Sequence, residues 1–378
     1  EGSFCFAFCF DCSAHSSSRF PDLLHMANGR VDSRRQLINN VNSESEIHKR
    51  KNDHLALAGS PSCQMNSSNG LETVRFEPVA LPELNFAEID TRVQFVNKPL
   101  SFPFLISSMS GGVREADKMN TTLAEAAEAC QVALGLGSMR IALEKKSART
   151  SFKLRSIAPT IPILANIGGT QLIQRNGTSD ALRCIELAEA DGIYVHLNAL
   201  QELLQPGGDT DWRGVSAAIK ELVAESPVPV FVKEVGHGIS ASSARILIDL
   251  GVSWIDVAGT GGTSWSQIEH TRSGLRGTSA FAEWGVKTRE AIEAIRDNGN
   301  SCRLVGSGGL RNGLDVAKVI RIGADIGAAA QPFLEPARTS VDKTIQVIKS
   351  WEKDLKIAMF CTGSKNLTEL KIAKLLSG

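Results

Sequence analysis

No charge of either sign dominates this sequence: 41 Lys and Arg residues are cancelled by 41 Asp and Glu over 378 positions. Without a global charge excess there is no footprint for nucleic acid or an anionic membrane, so any anion site must be local. Long apolar runs are missing as well. None approaches the roughly 18 residues needed to cross a bilayer, which predicts a soluble protein with no membrane partner. A disulfide framework is also absent. Of the eight cysteines, Cys130, Cys184 and Cys302 fall inside apolar helix or strand patterns, where Cys acts as a small core hydrophobe in a reducing compartment. What is present, 42% hydrophobic residues, suffices for one large core.

Residues 1–45 are rich in Ser and Asn and carry no sustained periodicity, so they are predicted to be a disordered extension or linker. Within them Cys5, Cys9 and Cys12 have the C-x3-C-x2-C spacing of radical-SAM iron–sulfur enzymes. In those enzymes the triplet follows a barrel strand. Here it precedes all regular structure and is read as incidental. Glu1, Asp11, Asp22 and Asp32 argue against an acid-poor transit peptide, and the absent initiator Met points to an incomplete or processed start.

From about residue 100, short β-type runs alternate with amphipathic helical stretches. Predicted strands are Pro103–Ser108, Val132–Gly137, Ile163–Ile167, Ile193–Leu197, Val230–Val235, Trp254–Ala258, Arg303–Gly306 and Ile326–Ala330. Predicted helices are Val113–Cys130, Glu144–Ile157, Ser179–Ala190, Val215–Glu225, Ala241–Asp249, Val286–Asp297, Leu314–Ile322 and Ala337–Met359, with a long Gly/Ser/Thr-rich loop after the sixth strand. Eight strand–helix pairs in series predict an α/β fold of the TIM (β/α)8 type with an N-terminal extension. The expected division is 1–45 extension, 46–100 a segment covering the barrel mouth, and 101–378 the barrel.

Glycines cluster at five predicted strand C-termini, the catalytic face of such barrels. Gly306-Ser307-Gly308-Gly309 after strand seven and Gly327-Ala328-Ala329-Ala330 in strand eight suit a phosphate, because small residues let backbone N–H groups approach the oxygens. Lys233, at the end of strand five, is unusual in a barrel mouth without an anionic partner; one facing a reduced flavin would stabilise its anionic form. Strand four ends His196-Leu197-Asn198-Ala199-Leu200-Gln201-Glu202, delivering an amide and a carboxylate to the mouth, and Glu202 would suit a hard cation such as Mg²⁺. Arg50-Lys51-Asn52-Asp53-His54, usually a solvated pattern, could clamp a diphosphate if laid over that mouth.

These segments resemble type 2 isopentenyl-diphosphate Δ-isomerase from about Arg50 to Leu370. Further landmarks are Ser108-Met109-Ser110-Gly111-Gly112, Gly137-Ser138-Met139-Arg140, Ala165-Asn166-Ile167-Gly168, Gly261-Gly262-Thr263-Ser264-Trp265 and Cys361-Thr362-Gly363. The resemblance implies an enzyme that interconverts isopentenyl and dimethylallyl diphosphate with reduced FMN and Mg²⁺, takes electrons from NADPH, and forms a homo-oligomer (tetramer or octamer). It is expected to be cytoplasmic, residues 1–45 being the one stretch that could carry an organelle address. The resemblance also implies that Ser108, Met109, Ser110, Ser138, Asn166, Lys233 and Thr263 hold the flavin ring, while Gly308, Gly309, Leu310, Ala329 and Ala330 hold its phosphate. Arg50, Lys51, His54, Arg140 and Gln201 would bind substrate, Gln201, His196 and Asn198 would act in catalysis, and Glu202 would hold the metal. Two positions depart from the family pattern: Ala258 replaces a usual Ser and Ala199 a usual Pro.

Two rivals remain at this stage. A flavin oxidase or dehydrogenase of 2-hydroxy acids needs a His base and Arg residues after the later strands, but Ala258-Gly259-Thr260-Gly261-Gly262-Thr263 has neither. A flavin-binding protein without catalysis leaves Arg50, Lys51, Gln201 and Glu202 without a purpose.

Overall fold

The computed structural model describes residues 49–376 apart from 110, 113, 175 and 298–301. The chain divides into Glu1–Lys49 and Arg50–Gly378, and the second unit contains the barrel. Residues 1–45, with Cys5, Cys9 and Cys12, lie outside the described residues.

Eight parallel strands close on themselves: β1 (Phe104–Ile106), β2 (Ala133–Gly135), β3 (Ile163–Gly168), β4 (Gly192–His196), β5 (Val230–Lys233), β6 (Trp254–Asp256), β7 (Arg303–Ser307) and β8 (Ile326–Ala329). β8 pairs with β1 at Gly327↔Phe104, which leaves no sheet edge. The expected (β/α)8 barrel is what the sequence forms.

Three helical stretches differ from expectation. The crossover after β2 is a short helix, Arg140–Glu144, followed by a 3₁₀ segment, Lys146–Phe152, instead of one helix over 144–157. Tertiary contacts override the helical pattern there. Ser151 Oγ accepts Gly112 N at 2.9 Å, and Phe152 is fully buried so close to Gly111 that a Cβ there would lie 2.4 Å from its ring. The last stretch is two helices, Gln331–Thr339 and Val341–Cys361, separated by extended Ser340, whose hydroxyl caps the second by accepting Lys343 N. Thirdly, the Gly/Ser/Thr-rich loop after β6 contains a helix, Trp265–Arg272, capped by Ser264 accepting Gln267 N.

Parts of the 50–100 region go to opposite ends of the barrel. Residues 50–58 are helical, and on the mouth side Met65 N donates to Gly262 O and Cys63 O accepts Ser264 N, both at 2.8 Å. The hairpin Val93–Phe95 with Lys98–Leu100 closes the other end. Its Phe95 packs edge-on to Trp254 at 4.9 Å and to Phe231 at 5.8 Å, inside the buried cluster with Leu105, Leu164 and Tyr194. Cys130, Cys184 and Cys302 are buried and free, as the patterns predicted, and burial pushes the Cys184 thiol up to about 12.

Candidate active site

Period-two alternation builds the site. Leu164, Tyr194, Phe231, Trp254 and Val305 form an apolar layer within the barrel. Two residues further along each strand, on the same face, stand Asn166, His196, Lys233, Asp256 and Ser307. The strands therefore change from apolar to polar together, toward their C-terminal ends.

Within this polar layer Asn166 Nδ2 donates to Leu136 O at 2.8 Å, so its Oδ1, 2.8 Å from His196 Nδ1, is the acceptor and Nδ1 carries the proton. Burial, with Lys233 acting in the same direction, lowers His196 to about 3, which makes the ring neutral at physiological pH. Asp256 accepts Tyr194 Oη at 2.8 Å and Ser307 Oγ, and Lys233 lies next to it in the β5–β6 ladder.

Above this layer three elements converge. The helix over 50–58 contributes Arg50, Lys51 and His54; Ala199–Leu204 contributes Gln201 and Glu202; Trp265–Arg272 contributes Glu269 and Arg272. His54 Nε2 lies 2.7 Å from Glu269 Oε1 and its ring sits edge-on to Trp265 at 5.1 Å. Gln201 Nε2 donates to the same Glu269 oxygen at 3.2 Å while Gln201 Oε1 accepts Asn198 Nδ2 at 3.2 Å. Arg272 bonds the other Glu269 oxygen. Burial opposes ionisation of Glu269, yet His54, Arg272 and Gln201 together hold its carboxyl below the ordinary value.

Positive charge accumulates here. Lys51 Nζ donates to Gly111 O, and burial, then the Arg50 charge, lowers the ammonium to about 8. Burial also lowers Arg50, with Arg140 and Arg272 adding to the effect and Glu202 and Glu269 opposing it. Arg140, exposed, reaches Glu144 at 3.1 Å and Asp209 at 3.4 Å. Glu202 accepts Asn198 Nδ2 and Asp209 N, both at 2.9 Å, and Gln205 Nε2 at 3.4 Å. No group of three or more His, Cys, Asp or Glu that could hold a metal occurs among the described residues.

On the β7–β8 side, Gly308 and Gly309 have φ of 103° and 69°. Packing alone already requires small residues here: a Cβ on Gly308 would lie 2.1 Å from Gly259 O, and one on Gly309 2.4 Å from Gly261 O. The two glycine loops pack backbone on backbone, and Asn69 Nδ2 ties Gly309 O at 2.8 Å. Leu310 and Ala329 are buried, and Ala330 precedes the Gln331–Thr339 helix and accepts Phe333 N at 3.0 Å. Met109 and Ser138 are half-buried beyond β1 and β2. Ser108 Oγ is buried and lacks a hydrogen-bond partner among the described residues, an orphan that a flavin's polar edge would satisfy. Thr263 Oγ1 instead donates to Gln64 Oε1 at 3.2 Å. Ser110 lies outside the described residues.

Sequence reasoning missed Glu269 and Arg272, and gave the landmark Trp265 no role, because glycines and serines masked the helix that carries them. Ser264-Trp265-Ser266-Gln267 has capping-box spacing, the one local signal that a helix starts there.

The profile of the FMN-dependent dehydrogenases matches residues 164–376. An isopentenyl-diphosphate delta-isomerase of Pseudescherichia vulneris is 46% identical, over 87% of this chain and 97% of that protein. The enzymes of the same name from Stutzerimonas stutzeri (43%; 88% and 98% covered) and Nostoc (41%; 88% and 96% covered) are similar too. The chain belongs to the FMN-dependent isopentenyl-diphosphate delta-isomerase family. Solved structures of a Pediococcus acidilactici lactate oxidase (TM-score 0.65, 16% identity, 88% and 93% covered) and a mandelate oxidase (TM-score 0.61, 16% identity, 87% and 94% covered) share the barrel fold. In this delta-isomerase family member the stretch over 258–263 carries no His or Arg, and its glycines are closed against the β7 loop. No helix among its described residues is long and apolar enough to cross a membrane.

Proposed function

We propose that this protein interconverts isopentenyl and dimethylallyl diphosphate, with reduced FMN and Mg²⁺ bound at the barrel mouth. The observation that carries the reading is that Arg50 and Lys51 form no ion pair with a carboxylate among the described residues, while their neighbours Arg140 and Arg272 are paired with Glu144, Asp209, Glu269 and Asp53. That cationic excess suits a diphosphate. The residues also fit a flavin: Ser108, Met109, Ser110, Ser138, Asn166, Lys233 and Thr263 would border its ring. Backbone of Gly308, Gly309, Leu310, Ala329 and Ala330 would hold its phosphate. When bound, reduced FMN supplies a stacked π face and a proton-bearing N5 for moving a double bond by one carbon.

The chain's own residues bind and orient. Arg50, Lys51 and Arg140 grip the diphosphate. Gln201, held between Asn198 and Glu269, fixes one wall of the alkene pocket. His196, neutral, and Asn198 line that pocket without adding charge beside a forming carbocation. His54 and Trp265 exclude water above it. Glu202 keeps lone pairs for one Mg²⁺, the rest of whose shell would be diphosphate and water. Within the segment over 46–100, residues 50–65 serve as the cover of the mouth, with residues 1–45 as an extension and 101–378 as the barrel. NADPH is the reductant, and the protein works in the cytoplasm as a homo-oligomer, tetramer or octamer.

Turnover of isopentenyl diphosphate with reduced FMN is the test. Glu202→Gln should raise the Mg²⁺ requirement and KM severalfold with flavin binding unchanged. Oxidation of a 2-hydroxy acid without isomerisation would sink the reading, and a Glu202→Gln variant with the parent's Mg²⁺ titration would remove the metal from that carboxylate.

A further inference from the structure

Asp256 is fully buried, and nothing in the proposed reaction uses it. One of its oxygens accepts Tyr194 Oη at 2.8 Å and the other accepts Ser307 Oγ. Ser307 Oγ itself accepts Ala258 N at 3.1 Å, so its single proton points to Asp256. One carboxylate oxygen therefore accepts the Ser307 proton and the other faces the Tyr194 hydroxyl, an arrangement that suits an ionised group. Lys233 is the cation beside it: the two residues are Cα partners in the β5–β6 ladder, and Lys233 Nζ stands 6.0 Å over the ring of the same Tyr194. The other titratable groups around Lys233 are Glu234, whose carbonyl accepts Nζ at 3.1 Å, and Tyr194 and neutral His196 on β4. Glu234 directs one carboxylate oxygen to Gly236 N and His237 N at 2.7 and 2.6 Å, so it is committed to its own turn.

We propose that Asp256 is the counter-ion of Lys233, a positioning residue that keeps this lysine charged in the dry barrel so that it presents a fixed positive charge to the FMN ring. The proposal rests on the placement of Lys233 at the flavin; the counter-ion relation itself does not. Burial pushes Lys233 down and Asp256 up, each toward neutrality, and their mutual attraction opposes both shifts. Ser307 opens the glycine loop beyond β7, where Thr288 Oγ1 lies 3.0 Å from Ser307 O and 2.7 Å from Gly308 O, so Asp256 and that loop are joined through Ser307.

Two measurements on the full-length chain test this. The first is the midpoint potential of bound FMN from about pH 6 to about pH 10 in the parent and in Asp256→Asn. At low pH the variant keeps Lys233 protonated without its anion, so its potential should lie above the parent's. As pH rises Lys233 loses its proton and the difference should shrink toward zero. A difference that is constant or zero across the range would overturn the proposal. The second is a denaturation cycle of Asp256→Asn, Lys233→Met and the double variant, with and without added FMN. Each single change strands a buried charge, so the double variant should be more stable than the sum of the two losses allows. Additive losses, or a double variant that stays unfolded while Lys233→Met folds, would show that Asp256 acts independently of Lys233. Absence of flavin from the parent would refute the FMN reading alone, since the cycle without FMN still decides the ion pair.

Discussion

His196 stands at the end of β4 with Nδ1–H directed to Asn166 and Lys233 beside it. Its folded value of about 3 lies well under the ordinary 6.5, so between these values the unfolded chain takes up a proton that the folded chain excludes. The residue's contribution to stability is complete above 6.5 and is lost as the pH falls toward 3. Melting temperature measured against pH should accordingly fall more steeply through this window in the parent than in His196→Gln. Parallel curves would mean that His196 titrates normally and that the pocket is wet.

Among the elements, the glycine loops beyond β6 and β7 depend on each other. Gly308 combines a φ of 103° with a backbone contact that leaves no room for a Cβ. A methyl group is therefore enough to force the loops apart, at a cost of about 1–3 kcal/mol from the backbone conformation alone. Gly308→Ala should lose flavin on gel filtration nearly as completely as Gly308→Asp, read from the visible flavin absorbance. Full retention by the alanine variant with loss in the aspartate would assign the effect to charge at the phosphate and leave the packing argument wrong. The Trp265–Arg272 helix shows a second dependence: Glu269, in its middle, meets His54, more than 200 positions earlier in the chain.

At the scale of the molecule, barrel closure and mouth assembly are separable. Every barrel strand lies between Phe104 and Ala329, whereas Arg50, Lys51 and His54 come from a helix that adds no strand. Deleting residues 1–45 should leave melting temperature and turnover at parental values. Deleting through residue 60 should abolish turnover while FMN still binds, as measured by flavin fluorescence quenching. Equal loss in both truncations would make the extension part of the catalytic unit.

Sequence by itself determined the barrel, because each strand and helix declares its period locally and eight alternations leave few ways to hide the apolar faces. It also marked the rim, since strand ends such as Lys233, Asn166 and Gly308 are unusual for their surroundings in the chain. Tertiary structure alone decided what those residues meet. The 3₁₀ segment of Lys146–Phe152 follows from the burial of Phe152 under Gly111, a contact no helical pattern encodes. Glu269 sits in a stretch whose glycines and serines read as loop, and its partners His54 and Gln201 arrive from distant elements. The placement of Lys233 beside Asp256 is visible only once β5 and β6 lie in register, because neighbours across strands depend on a spacing that no single strand contains.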